Sequence, residues 1–436
     1  MSEDKLSTIY YTEERPRGAC IGDFVLLKNV LSKKNKPIWV PVQLLDALLR
    51  GYGQVVFANN PLSGLLIVIA LGATAPKILA FSAATGFLGL LLSMLMKDYQ
   101  EVIENGLTVF NPLLVGALSA SLVPNLYGEF DAFSYLLILI GTITSVYLTR
   151  SLQNNEIPFT TTSFNLVEIL LLFILTMQDN LVESSNIQTM DNATSDGRTN
   201  DASFIAANVT DVNVDWGMFQ HVFRGMVVSS SQVFGVDNIA AGAVIYLAVL
   251  VYSPATAGFS FVGVFIGTLA GLEFRVPHNE VFTGLWGFNS FLTGAALGGN
   301  LFVLNLQTAV ATLVAIVYTV ILQYVLRILL GKIGLPVLTL PFAISTVLFV
   351  KLRSSSSDSI FPKPLQYSYP EKQRQDYIAS KKNIKRDSVG IIRFIFLLKY
   401  RIDTRFYLQY FFFTCLFYIP RFFSLSRRLN HQDKQI

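Results

Sequence analysis

A chain of 436 residues with 52% hydrophobic and only 14% charged side chains is too apolar for a soluble globular domain, where charge runs near a quarter of the residues. The net charge of +4 is modest and reads as a topology signal rather than a nucleic-acid footprint. Two distant cysteines, Cys20 and Cys415, and three histidines, His221, His278 and His431, show no spacing for a metal site, a cofactor ligand or a disulfide framework. With a mean hydropathy of +0.49, the class is an all-α polytopic membrane protein.

Residues 1–37 are polar and end in Lys33, Lys34 and Lys36, a basic flank that favours the cytoplasm. They lack the apolar core of a cleavable signal peptide. A first membrane half occupies residues 38–177. It opens with an amphipathic span, about 38–57, carrying Asp46, Arg50 and Gln54, broken at Asn59-Asn60-Pro61. Apolar runs follow at 62–75 and 78–96, split by Pro76 and Lys77. A short, Gly-rich broken segment comes at 106–123, then a span at 133–149 and, after Pro158, a run at 164–177. Residues 178–216 change character: seven acidic residues face a single Arg198, with no lysine. Asn192-Ala193-Thr194 and Asn208-Val209-Thr210 are N-glycosylation acceptor patterns, so this loop is expected outside the cell with Asn192 and Asn208 glycosylated. A second half, 217–352, repeats the pattern: a span ending near Asp237-Asn238, runs at 239–253 and 255–274, a broken segment at 284–299, a run at 301–330, and a last span near 340–352. Residues 353–436 form a basic tail whose aromatic run, Phe406 to Phe423, suits the inner membrane surface; the alternative is an eleventh span through the apolar Phe411 to Phe417, a stretch short for a crossing.

One offset of 178 residues aligns the halves without a gap. It pairs Gln54 with Gln232, Asn60 with Asn238, Pro76 with Pro254, Gly106 with Gly284, Phe110 with Phe288, Asn111 with Asn289, Leu114 with Leu292, Pro158 with Pro336 and Thr161 with Thr339. So many Gly, Pro, Asn and Gln matches at one offset mark an internal duplication. Five spans carry the chain across the membrane an odd number of times. The expected architecture is therefore two inverted-topology repeats of five transmembrane helices plus one half-helix each, with both termini in the cytoplasm. In such folds the pathway lies where the repeats meet.

The paired residues there are uncharged. Glu168 aligns with Thr346 and Glu273 with Leu95, so neither glutamate is duplicated. Broken helices leave carbonyl oxygens free to accept from a solute's N–H groups, and the Thr161 and Thr339 hydroxyls donate or accept. A threonine just after a proline is also a common helix cap, which is the plainer role for both. Phe110 and Phe288 could press on the two faces of a flat molecule. The lining suits a small, planar, uncharged, N–H-rich solute such as urea, with no covalent chemistry. Two other classes share parts of the pattern. An ion- or proton-coupled transporter of a small amide or amine is disfavoured by the missing duplicated charge. A non-conducting membrane scaffold would use the tail.

Gly334-Leu335-Pro336-Val337-Leu338-Thr339-Leu340-Pro341-Phe342 resembles a signature of the urea transporter family, which are channel-like facilitators. Gly284 to Ser290, Gln54 to Pro61 and Tyr369-Pro370-Glu371 are similar to other family segments, so the likeness spans roughly 40–373. It implies ten spans, two tilted half-helices, one pore per protomer, and a homotrimer in the plasma membrane. It also implies a narrow central pair at Thr161 and Thr339, slot walls at Phe110, Leu114, Phe288 and Leu292, and outer and inner urea sites at Gln54, Phe57, Gln232 and Val233. Carbonyl ladders would lie at the half-helix ends. The first copy departs from the pattern at Ile157 and Ser163, and Pro112 stands where the second has Ser290. The tail after about residue 385 matches nothing in the family.

Overall fold

The computed structural model describes residues 21–34, 36–152, 158, 160–190, 216–355, 358–364 and 368–381. The chain divides into two units, Met1–Tyr10 with Ile378–Ile436, and Tyr11–Tyr377; every helix named below belongs to the second. Asn192 and Asn208, the first 20 residues and the aromatic tail lie outside the described residues.

A short α1 (Val25–Ser32) precedes α2 (Val40–Gln54), α3 (Pro61–Thr74), α4 (Pro76–Leu95), α5 (Gln100–Glu104), α6 (Phe110–Leu126), α7 (Ala132–Leu152) and α8 (Thr162–Met190). The second half contains α9 (Trp216–Gln232), α10 (Ile239–Tyr252), α11 (Pro254–Glu273), α12 (His278–Phe282), α13 (Phe288–Leu297), α14 (Leu306–Gly331) and α15 (Leu340–Val350). Three helices of the first half, α3, α4 and α5, begin and end 178 residues before α10, α11 and α12. Shared local chemistry sets these bounds. Asn60 caps α3 by accepting from Leu62 N at 2.8 Å, and Asn238 caps α10 from Ala241 N at 3.0 Å. Pro76 and Pro254 occupy the first positions of α4 and α11, where a missing N–H does no harm.

Apolar side chains cover the exposed helix faces, and many small polar ones are buried among the apolar core. On α14, Leu313, Val314, Val317, Ile321 and Val325 are exposed while Thr308, Thr312, Thr319 and Gln323 are buried. The buried threonines satisfy themselves within the helix: Thr312 donates to Thr308 O at 2.7 Å and Thr319 to Ala315 O at 2.8 Å. In water this arrangement would expose its grease; in a bilayer it is the arrangement expected. Among the described residues α4, α7, α11 and α14 are long and apolar enough to cross a membrane, and α3, α6, α10 and α15 are shorter apolar helices. This is a polytopic, multi-pass membrane protein.

The two halves differ at their broken segments. The sequence places the first at 106–123 and the second at 284–299; the helices are Phe110–Leu126 and Phe288–Leu297. The first tolerates Pro124 in its last turn, whereas the second stops at Gly298 and Gly299, the latter at φ +121°. The next run was expected from 301, but α14 starts at Leu306, fixed by a capping box between Asn305 and Thr308. The helix α8 outruns its apolar stretch, 164–177, and its backbone continues to Met190 because no glycine or proline interrupts it.

Both α6 and α13 sit very close to the long helices α4 and α11. A Cβ on Gly116 of α6 would lie 2.6 Å from Phe81 O of α4, and one on Gly294 of α13 2.3 Å from Phe259 O of α11. Small residues let these backbones approach, and the same approach recurs at the same offset.

Candidate functional site

The final residue of α2, Gln54, donates its amide to Asn105 O at 3.1 Å; the final residue of α9, Gln232, donates to Thr283 O at 2.7 Å. Those carbonyls immediately precede Gly106 and Gly284, whose φ values of +66° and +79° turn the chain into α6 and α13. Each glutamine thus braces the turn that begins a broken segment. The Asn105 and Thr283 carbonyls were not among the residues singled out from sequence. A backbone acceptor leaves no trace in side-chain identity.

The second residue of α6 and that of α13 each reach the segment before a predicted central threonine. Asn111 Nδ2 donates to Thr160 O at 3.3 Å, and Asn289 Nδ2 to Leu338 O at 3.1 Å. Both carbonyls belong to the residue just before a predicted central threonine. The chain there is held from outside itself, and Leu338 adopts φ 52°, a conformation a β-carbon resists. Duplication of Asn111 and Asn289 was visible in the sequence; their task was not.

These braces bring the two threonines together. Thr161 Oγ1 and Thr339 Oγ1, equivalent positions 178 residues apart, share a hydrogen bond of 2.7 Å. Both residues are buried. Thr339 occupies the N-cap position of α15 yet makes no side-chain cap bond, so the capping role allowed by the sequence is not the one taken. Instead its hydroxyl turns to Thr161 and to Asn165, whose Nδ2 donates to Thr339 Oγ1 at 3.0 Å and to Thr161 O at 2.8 Å. Asn165 Oδ1 accepts from Thr339 N at 3.1 Å. The duplication could not reveal Asn165, because its counterpart is Ala343. Replacing Asn165 by alanine is expected to destabilise the protein by about 1–3 kcal/mol, since Thr339 N then has no partner in a buried setting. A detergent melting curve superimposed on that of the native protein would contradict this.

The remaining predicted residues gather around the same helix starts. Phe110 and Phe288 are the first residues of α6 and α13, and Leu114 and Leu292 lie one turn on; all four are buried in one apolar cluster with Val233. Phe57 packs against this cluster at φ 59° and meets Phe342 edge-on, with ring centroids 5.8 Å apart.

Ion pairs lie away from these helices. Among the described residues the ion pairs are Arg50–Asp46, Arg150–Asp98, Arg224–Asp237 and Arg327–Glu280, none on α6, α8, α13 or α15. Arg50 is buried and donates to Asp46, to the Asp23 carbonyl at 3.0 Å and to Asn59, while its Nη2 has no hydrogen-bond partner among the described residues. No group of His, Cys, Asp and Glu among the described residues could hold a metal ion.

The family model described as urea transporter matches residues 45–354. Urea transporter 1 of Ovis aries is 29% identical over 373 residues, covering 84% of this chain and 90% of that protein. Its counterpart in Capra hircus is 30% identical over 373 residues with the same coverage, and that of Rattus norvegicus 28% over 371 residues, covering 84% and 91%. Since the matched segment starts within α2 and ends just beyond α15, it encloses both copies of the duplication with their paired glutamines, asparagines and threonines, and the chain belongs to the urea transporter family.

Proposed function

We propose that this protein lets urea cross the plasma membrane passively, down its gradient, with no covalent chemistry. The single observation that carries this reading is the contact between Thr161 and Thr339. A residue that touches its own counterpart lies near the axis relating the two copies. With inverted repeats that axis runs in the membrane plane, so the threonines form the waist of a path between the halves. Two hydroxyls and the Asn165 amide supply donors and acceptors but no charge. Urea, with four N–H groups and a carbonyl, exchanges bonds with them one at a time; an ion would surrender its hydration shell without an adequate replacement.

On this reading Phe110, Leu114, Phe288 and Leu292 flank the waist, and Gln54, Phe57, Gln232 and Val233 border the outer and inner approaches. Carbonyls of the turns before α6 and α13 receive the solute's N–H groups. Each protomer of a homotrimer carries its own path. Both termini are cytoplasmic, and the acidic loop with glycans on Asn192 and Asn208 faces outward.

Stopped-flow urea efflux from proteoliposomes tests the reading. We expect a urea permeability well above that of empty vesicles, linear or weakly saturating in urea and indifferent to sodium and proton gradients. Flux that needs an ion gradient would instead establish a coupled transporter. Permeability equal to empty vesicles would leave a membrane scaffold.

A further inference from the structure

Glu168 is the only ionisable side chain of α8 between residues 162 and 178, and it is fully buried. Its Oε1 accepts from Ser119 Oγ of α6 at 3.0 Å; its Oε2 has no partner among the described residues. Helices α6, α7 and α15 pack against α8. Neither α6 nor α15 contains a titratable side chain. On α7 these groups are Tyr135 and Tyr147, both exposed, and Arg150, which pairs with Asp98 at 3.1 Å. Lys332, ahead of α15, is exposed. A carboxylate at this position would be a buried charge with one hydroxyl for company, a costly state inside a membrane. With a proton on Oε2 the group is neutral. The urea path as read above has no use for an acid here.

We propose that Glu168 is a proton-binding site within the membrane, and that its protonation keeps α6 seated on α8 so that the path conducts. Position decides the coupling. Glu168 lies three residues beyond Asn165 on one face of α8, and seven beyond Thr161, which immediately precedes that helix. Its bond to Ser119 ties that face to α6, the helix that begins with Phe110 and Leu114. Loss of the proton leaves a bare charge in the seam between these helices. Water must enter or α6 must shift, and the wall residues shift with it. The second copy has Thr346 at this place, so only one side of the path carries the switch.

The gating half of this inference rests on the urea reading; the proton site does not. Two measurements on the full chain in proteoliposomes separate them. The first is labelling by dicyclohexylcarbodiimide, to which a protonated carboxyl adds and then rearranges to a stable N-acylurea. Peptide mass spectrometry is expected to find the adduct on Glu168 at pH 6, less of it at pH 9, and none in Glu168→Gln. The second is urea flux from pH 5.5 to 9. The native protein is expected to lose several-fold in flux toward alkaline pH, whereas Glu168→Gln, permanently neutral, holds the acid-side rate throughout. No adduct on Glu168 at any pH overturns the proton site. An adduct with a flat native profile, or the same profile in Glu168→Gln, overturns the gate. A native protein that labels but passes no urea at any pH keeps the proton site and sinks the urea reading. The native labelling and native profile stand even if the variant does not fold.

Discussion

Urea flux through Thr339→Val is expected to fall about tenfold while the protein stays folded and assembled. Valine matches threonine in shape but lacks the hydroxyl that bonds Thr161 at 2.7 Å and Asn165 at 3.0 Å. Asn165 keeps its bonds to Thr161 O and Thr339 N, so the local backbone remains held. On the proposed reading, what disappears is one partner for urea at its most desolvated point. A single hydrogen bond is worth about 1–1.5 kcal/mol net, and about 1.4 kcal/mol on a barrier is a factor of ten. Thr161→Val should act alike. The double variant should fall short of the product of the two, because the hydroxyls are partners of each other. Stopped-flow efflux alongside a detergent melting curve makes the comparison. Flux equal to the native protein, with melting unchanged, would remove the threonines from the path.

A larger effect on folding is expected from Gly106→Ala. A Cβ there would lie 2.4 Å from Gly51 N and 2.7 Å from Ala47 O, at φ +66°. The left-handed backbone costs about 1–2 kcal/mol for a non-glycine residue, and forcing an atom into close-packed backbone about 1–3 kcal/mol more. Gly284→Ala should behave the same way, since its Cβ would lie 2.6 Å from Ser229 N at φ +79°. Gly128→Ala separates the two terms. It shares a positive φ of +96° but meets nothing within 4 Å, so only the backbone strain applies. Thermal midpoints should therefore rank Gly128→Ala well above the other two. If all three melt together, the close approach of α2 to the turn before α6, and of α9 to the turn before α13, is not what requires glycine.

The sequence made the duplication legible wherever a side chain dictates the backbone. Asn60 and Asn238 start helices, Pro76 and Pro254 start the next, and Gly106 and Gly284 turn the chain, so α3, α4, α10 and α11 could be placed by one offset, whereas α5 and α12 lie where short polar loops were expected, near 98–104 and 275–280. The pairing of Thr161 with Thr339 was legible from the same offset; their place as a central pair was implied only by the family likeness. Three things were not. The acceptors for Gln54 and Gln232 are main-chain oxygens of Asn105 and Thr283, which differ in side chain and so do not register as a pair. Asn165 has no duplicate, and comparison of the halves passes over it. The far ends of the half-helices diverge because Pro124 is absorbed in one while Gly298 and Gly299 end the other.

A single asparagine serves two equivalent threonines. In a pair of separate identical half-length chains it would have to appear twice. A continuous polypeptide escapes that constraint, since each half can change without the other. Because Ala343 stands where the second copy would carry its own asparagine, one amide reaches both threonines and the surroundings of the pair are chemically lopsided.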